Sequence, residues 1–181
     1  MKRLLIILTV MTSTICCSAR NVDNSTVPSL DLSRYLGKWY EIARFDHSFE
    51  KGVHFTTADY TVQQNGRIKV VNSGMKEGKK TASTGKAKLT DTNGLLRVSF
   101  FGPFYSDYRV LMVSEDYEYA LVGSKSSKYL WILSRTPDIP GGILHAILVE
   151  ATRRGYDTSR LTWVNQDPNT IVPKTEYYDY Q

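Results

Sequence analysis

At 181 residues the chain is long enough for one domain with a substantial core and too short for two comfortable ones. Its 23 basic and 18 acidic residues are interspersed, so the formal charge of +5 is a mild excess with no basic stripe, and nucleic acid is set aside as a partner. Both cysteines, Cys16 and Cys17, lie near the N-terminus, so the domain formed by the rest has no internal disulfide and depends on packing.

Residues 1–19 read as an export signal. Lys2 and Arg3 make a basic start, Leu4 to Val10 an apolar run, and Ser13 to Ala19 a stretch of mostly small residues suited to cleavage. The apolar run is too short to span a bilayer, and no later segment approaches the roughly 18 apolar residues that a membrane helix needs. Loss of Lys2 and Arg3 with the signal lowers the net charge to +3. Two processing routes are open. Cleavage before Cys17 leaves a cysteine that carries acyl chains and anchors the protein to a membrane, whereas cleavage after Ala19 leaves a periplasmic or secreted protein. The anchor at Cys17 is preferred, because a cysteine directly after the apolar run has little other purpose. Thr14-Ile15-Cys16 nevertheless departs from the usual lipobox, and Ser18 resembles an outer-membrane sorting address.

Residues 20–29 are polar and without periodicity, and read as a flexible tether. Leu30 to Tyr35 suits a helical turn, capped by Asp31 or Ser33, that covers one end of the strand-rich region beyond it. From Gly37 the pattern has period two. Tyr40, Ile42 and Phe45 come after Trp39, and then Thr56, Ala58, Tyr60 and Val62 alternate with polar residues up to the Asn65-Gly66 turn. Ile68 to Asn72 is the next strand, Gly74 to Lys80 a basic turn, Thr84 to Leu89 a return, and Asp91 to Gly94 another turn. Leu96, Val98 and Phe100 alternate with Arg97 and Ser99. Strands at Asp107 to Ser114, Tyr117 to Ser124 and Tyr129 to Arg135 complete eight, a count that suits an antiparallel sandwich or an up-and-down barrel. Ile143, Leu144, Ile147, Leu148 and Ala151 then form a one-sided helical stripe over Ile143 to Arg154, stopped by Gly155. A short strand, Arg160 to Val164, comes next, and residues 167–181 are a polar, tyrosine-rich tail. Lys76, Lys79, Lys80, Lys86 and Lys88 read as a solvated hairpin in preference to a patch for anionic headgroups.

Three blocks in this order resemble the lipocalin family: Gly37-Lys38-Trp39 on the first strand, Ser106-Asp107-Tyr108 where the family has a Thr-Asp-Tyr-like loop, and Arg135 ending the last barrel strand. YLGKWYEIARFDHSFEKG, VSFFGPFY and YLWILSRTP are similar to the bacterial lipocalins, outer-membrane lipoproteins related to apolipoprotein D, over residues 30–166. The resemblance implies an all-β fold, an eight-stranded antiparallel up-and-down β-barrel with one C-terminal helix packed outside. It also implies binding of long-chain fatty acids or lysophospholipids, for lipid storage or transport in the cell envelope. Such a barrel holds one small ligand when one end is closed. Trp39, placed by Gly37, closes that end with Arg135 stacked on its indole.

With Trp39 and Arg135 turned inward, period two selects the lining: Thr56, Ala58, Tyr60, Val70, Asn72, Ala87, Val98, Phe100, Val110, Met112, Tyr129, Trp131 and Leu133. This surface is apolar and aromatic with a few polar groups, as a pocket for a long acyl chain should be. Small residues at Ala58, Gly85 and Ala87 suggest unfilled volume. Alternation also turns Glu41 inward, where a carboxylate is costly unless it is partnered or a bulge removes it. His47, His54 and His145 fall on a turn, the exit of the first strand and the external helix, so spacing draws no catalytic unit, metal site or cofactor site. Asp46-His47 reads as a solvated or capping pair. The competing class is an enzyme acting on a lipid or isoprenoid inside the same barrel. The partners implied are a small lipophilic ligand and, through Cys17, a membrane; whether the chain is a monomer or a homodimer stays open.

Overall fold

Eight strands wind in chain order into a closed antiparallel barrel in the computed structural model, which describes residues 22–48, 50–167 and 169. They are β1 (Gly37–Phe45), β2 (Val53–Val62), β3 (Ile68–Lys76), β4 (Lys79–Leu89), β5 (Leu95–Phe101), β6 (Phe104–Val113), β7 (Tyr119–Gly123) and β8 (Leu130–Ser134). Each pairs with the next, β8 pairs with β1, and β1 also pairs with β2, which closes the ring. A four-residue helix, α1 (Leu32–Tyr35), precedes the barrel, and the longer α2 (Gly141–Arg153) comes after it. β9 (Leu161–Trp163) adds to the far half of β1, pairing Ala43 with Trp163 and Phe45 with Leu161. The export signal, the Cys17 anchor and most of the polar tail lie outside the described residues.

Strand alternation sorts the apolar side chains into two cores. One lies inside the barrel and includes Trp39, Tyr60, Val70, Leu96, Val110, Val122 and Leu133. The other lies between the outer face of β1, β6, β7 and β8 and the helix, where Ile147 and Ala151 of α2 pack with Ala43, Phe45, Leu111, Leu121 and Ile132. The predicted stripe of α2 is the buried one, except that Ile143 at its edge is exposed. Helix α2 starts at Gly141, two residues before the expected position, behind Pro140. Gly155, at φ +90°, ends it: its N–H reaches the Thr152 carbonyl at 2.9 Å and the Tyr156 N–H reaches that of Ala151 at 3.0 Å. Those two bonds satisfy carbonyls that the helix end would otherwise strand.

The fold corrects two expectations. β3 and β4 run on through the region read as a basic turn, which shrinks to Glu77-Gly78. Gly74 is an interior strand residue: a Cβ there would sit 2.5 Å from the Val53 side chain and 2.9 Å from the His54 carbonyl, so the glycine reflects close approach by β2. The tether also changes character from Val22 onward. The Asp23 N–H bonds the Arg154 carbonyl at 2.8 Å, Asn24 bonds the Lys125 carbonyl at 3.1 Å, the Val27 N–H bonds the Val110 carbonyl at 2.9 Å, and Asn93 bonds the Pro28 carbonyl at 2.7 Å. This segment is strapped along the outside of the barrel. Its polar composition signalled backbone bonding to a neighbour, which local sequence does not distinguish from solvation.

Candidate functional site: the barrel lumen

The closed end is built from α1 and the start of β1. Asp31 caps α1, accepting from the Ser33 N–H at 2.9 Å, and so places Leu32 and Leu36 against the inner core. Trp39 is fully buried, and its indole N–H donates to the Tyr35 carbonyl at 2.8 Å. The Arg135 guanidinium lies 3.8 Å from the Trp39 ring centroid and donates to the carbonyls of Lys38 at 2.7 Å, Arg34 at 2.6 Å and Tyr117 at 3.2 Å. One side chain therefore ties α1, β1 and the β6–β7 turn together over the indole. Gly37 holds φ +89°, with Arg135 Nη1 3.6 Å from where a Cβ would stand.

Above this floor stand three tyrosines. The Tyr108 hydroxyl is 2.7 Å from that of Tyr35 and accepts from that of Tyr60 at 2.9 Å. Burial pushes all three phenols up, so they are neutral donors and acceptors. Tyr108 belongs to the Ser106-Asp107-Tyr108 block, which lies on β6 rather than in a loop. Asp107 of that block faces outward between Arg97 at 2.8 Å and Arg109 at 2.9 Å.

Toward the mouth the lumen becomes polar. β1 has a register shift after Glu41, so Ala43 and Phe45 face the helix while Arg44, paired with Trp131, turns inward. Arg44 Nη1 then meets Glu41 Oε1 at 2.6 Å, with both side chains buried. Arg44 also donates to the carbonyls of Glu50 at 2.6 Å and Val53 at 3.2 Å, which pins the loop entering β2. Burial pushes the Glu41 carboxyl up against the pull of Arg44. Burial would lower Arg44, but the carboxylates of Glu41, Glu50 and Asp46 together outweigh it and the guanidinium is raised. Burial, helped by the Glu41 charge, pushes Glu50 up to about 8 against the opposing pull of Arg44 and a hydrogen bond from Trp131. His47 stacks on Tyr129 at 4.2 Å, and Tyr129 stacks on Trp131 at 5.9 Å. The buried Thr56 Oγ1, Asn72 Oδ1 and His54 Nδ1 have no hydrogen-bond partner among the described residues.

The expected lining residues separate by depth. Tyr60, Val70, Ala87, Val110 and Leu133 are buried in the inner core, as is Thr56 at 6% exposure, while Ala58, Asn72, Val98, Phe100, Tyr129 and Trp131 keep partial exposure. Met112 is corrected. β6 bulges between Val110 and Met112, so Met112 packs in the outer core beneath α2 and Val113 takes the inward place. Gly85 does not leave a void, because the Phe100 ring sits 2.8 Å from its missing Cβ. Period counting missed Arg44 because the bulge changes the phase of β1. It missed Glu50 because the residue lies on a loop; the one available signal, an inward carboxylate at Glu41 in need of a partner, pointed to Arg44. Tyr35 and Tyr108 were legible as neighbours of Trp39 and Val110. Asp46 approaches Arg44 at 3.4 Å, His145 is exposed on α2, and no trio of His, Cys, Asp or Glu among the described residues is placed to hold a metal ion.

Comparison with known proteins agrees with this architecture. A family model described as a lipocalin-like domain matches residues 30–166. The outer membrane lipoprotein Blc of Vibrio cholerae serotype O1 is 47% identical over 77% of this chain and 85% of its own length. The outer membrane lipoprotein Blc of Escherichia coli is 46% identical over 78% of this chain and 82% of its own. Among solved structures, insecticyanin from the tobacco hornworm Manduca sexta has a TM-score of 0.67 at 23% identity, covering 81% of this chain and 86% of that one, a likeness of fold alone. From a family model spanning the whole barrel and relatives of this identity over most of their length, the chain belongs to the lipocalin family.

Proposed function

We propose that the barrel binds one long-chain amphiphile, a fatty acid or a lysophospholipid, and carries or stores it in the bacterial cell envelope, with the protein held at the outer membrane through acylated Cys17. The observation that carries this reading is the gradient along the lumen. The floor is packed shut by Trp39, Tyr35 and Tyr60, whereas the inward side chains nearer the mouth, Val98, Phe100, Tyr129 and Trp131, retain accessible apolar surface beside unpartnered polar atoms of Thr56 and Asn72. An acyl chain gains about 0.8 kcal/mol per buried CH₂, so such a surface favours a chain over a compact polar ligand. The names of the Vibrio cholerae and Escherichia coli relatives support the envelope location and the anchor.

Lipid extraction from natively purified protein, followed by displacement of a fluorescent fatty acid, tests the ligand. Saturable displacement by lysophospholipid or fatty acid is expected; an empty extract together with no saturable displacement would sink the reading. Palmitate labelling of the wild type against Cys17→Ser tests the anchor, and equal labelling of the two would exclude Cys17 as the acceptor. The enzyme alternative requires turnover of a lipid or isoprenoid substrate, and no observation of the lumen favours it over binding.

A further inference from the structure

Lys86 and Lys88, which local sequence groups with the lysines of the β3–β4 hairpin, stand on a different surface. Ile68, Val70, Ala87 and Leu96 face the inner core, so alternation turns Lys69, Lys86, Lys88 and Arg97 outward. The register sets cation against cation in two neighbouring strand pairs: Lys69 lies directly opposite Lys86 on β3 and β4, and Lys88 directly opposite Arg97 on β4 and β5. Directly opposed residues stand about 4.5–5.5 Å apart at Cβ, and like charges there destabilise a sheet. Nearby acids do not relieve the lysines. Asp107 is shared by Arg97 at 2.8 Å and Arg109 at 2.9 Å, and Asp59 lies one row away, opposite Val71, accepting from the Thr61 hydroxyl at 3.1 Å. Among the described residues none of Lys69, Lys86 and Lys88 has an ion pair. Lys86 and Lys88 instead converge on the Tyr105 ring, with Nζ atoms 5.7 and 4.8 Å from its centroid, which holds the two charges side by side.

This face is also uncovered. The core beneath α2 draws on β1, β6, β7 and β8 and takes no residue from β2 to β5. Lys69 and Lys88 are exposed and Lys86 is half-buried, and their outward neighbours Thr61, Thr84 and Ser99 are polar. A protein interface is depleted of lysine and centres on apolar anchors, and a convex wall without an apolar wedge meets a flat bilayer along only a narrow strip. The Tyr105 ring, engaged by the two lysines, leaves no platform on which a base could stack. Lysine is a compact point charge without the planar fork by which arginine selects one carboxylate or phosphate, so three neighbouring lysines read charge density and not a single group. A flexible polymer with an anion on successive units follows such a surface and releases its counterions on binding. We infer that the outer face of β3, β4 and β5 docks a polyanionic glycan, with Lys69, Lys86 and Lys88 meeting successive anionic groups and Tyr105 positioning the latter two. The bound polymer offsets the repulsion that the register builds in. The surface lies outside the barrel and is independent of what the lumen holds.

The test follows binding of a fluorescently labelled heparin octasaccharide, as the polyanionic glycan, to the full chain by anisotropy over a range of salt. Saturable binding that weakens as salt rises is expected. Lys86→Gln with Lys88→Gln should weaken it at least about tenfold and make log affinity against log salt shallower by about one for each lysine. Lys125→Gln with Lys128→Gln removes the same charge from the exposed turn between β7 and β8 and should change binding by less than about twofold. Both double variants should keep the wild-type thermal midpoint, and Lys86→Gln alone should keep or raise it, because it relieves the opposition to Lys69. Equal losses in the two double variants would trace binding to net charge and overturn the proposal, as would no saturable binding of the octasaccharide. Tighter binding of a single-stranded oligonucleotide or of phosphatidylglycerol vesicles, lost in Lys86→Gln with Lys88→Gln, would assign the face to nucleic acid or to a bilayer and overturn it too. A lower midpoint with unchanged octasaccharide affinity would also overturn it, since the lysines would then serve the sheet alone. Fatty-acid displacement should be the same in all these variants, so this surface and the lumen succeed or fail separately.

Discussion

Arg44 reaches back across the β1 bulge to Glu41, Nη1 to Oε1 at 2.6 Å, and the two form a buried ion pair inside the barrel. Breaking such a pair from one side leaves an uncompensated buried charge, which costs about 3–5 kcal/mol, whereas removing both partners costs far less. Urea denaturation should therefore show Arg44→Met strongly destabilised and Arg44→Met with Glu41→Leu recovering most of the loss. A double variant no more stable than Arg44→Met would mean that the bonds from Arg44 to the Glu50 and Val53 carbonyls, and not the pair, hold this region.

Glu50 has a folded-state value of about 8, well above an ordinary carboxyl, so the folded protein binds its proton more tightly than the unfolded chain does. The resulting stability is fully present below the unfolded value and is lost as pH rises through about 8. Burial lowers His47 and His54, which acts in the opposite sense and only as pH falls below the ordinary histidine range. Chemical denaturation between neutrality and pH 8 should thus show stability falling, by about 1 kcal/mol after allowance for partial solvent access, and Glu50→Gln should flatten that slope. An unchanged slope in Glu50→Gln would place the titrating group elsewhere.

Trp131 and Trp39 should differ in kind. Trp131→Ala, near the mouth with partial exposure, is expected to weaken fatty-acid binding while leaving the unfolding midpoint close to wild type. Trp39→Ala removes the fully buried floor and the partner of Arg135, and should cost about 3–5 kcal/mol of stability. Met112→Ala belongs with stability and not with binding, because its side chain lies under α2. Loss of binding in Met112→Ala at unchanged stability would contradict that placement.

Tyr108→Phe removes the hydroxyl that joins those of Tyr35 and Tyr60, leaving two buried phenols without their shared partner. The expected cost is about 1–3 kcal/mol, read as a lower thermal midpoint, with the fold retained. A neutral outcome would mean that the remaining two hydroxyls bond each other directly.

The chain alone determined the class of fold and the identity of its floor. Period-two alternation is a local property of extended backbone, so eight strands, one amphipathic helix and an inward set that included Tyr60, Val70, Val110 and Leu133 could be counted along the sequence, and the resemblance to the lipocalin family joined Gly37, Trp39 and Arg135 as a unit. Tertiary structure alone decided whatever depended on phase or on a distant partner. Bulges after Glu41 and Val110 reversed the alternation, turning Arg44 in and Met112 out, because one extra residue flips every side chain beyond it. The strapped N-terminal segment and the elevated Glu50 arise from backbone groups and charges brought close by barrel closure. No local pattern contains those neighbours, since the ring that gathers them closes only when β1 pairs with both β2 and β8.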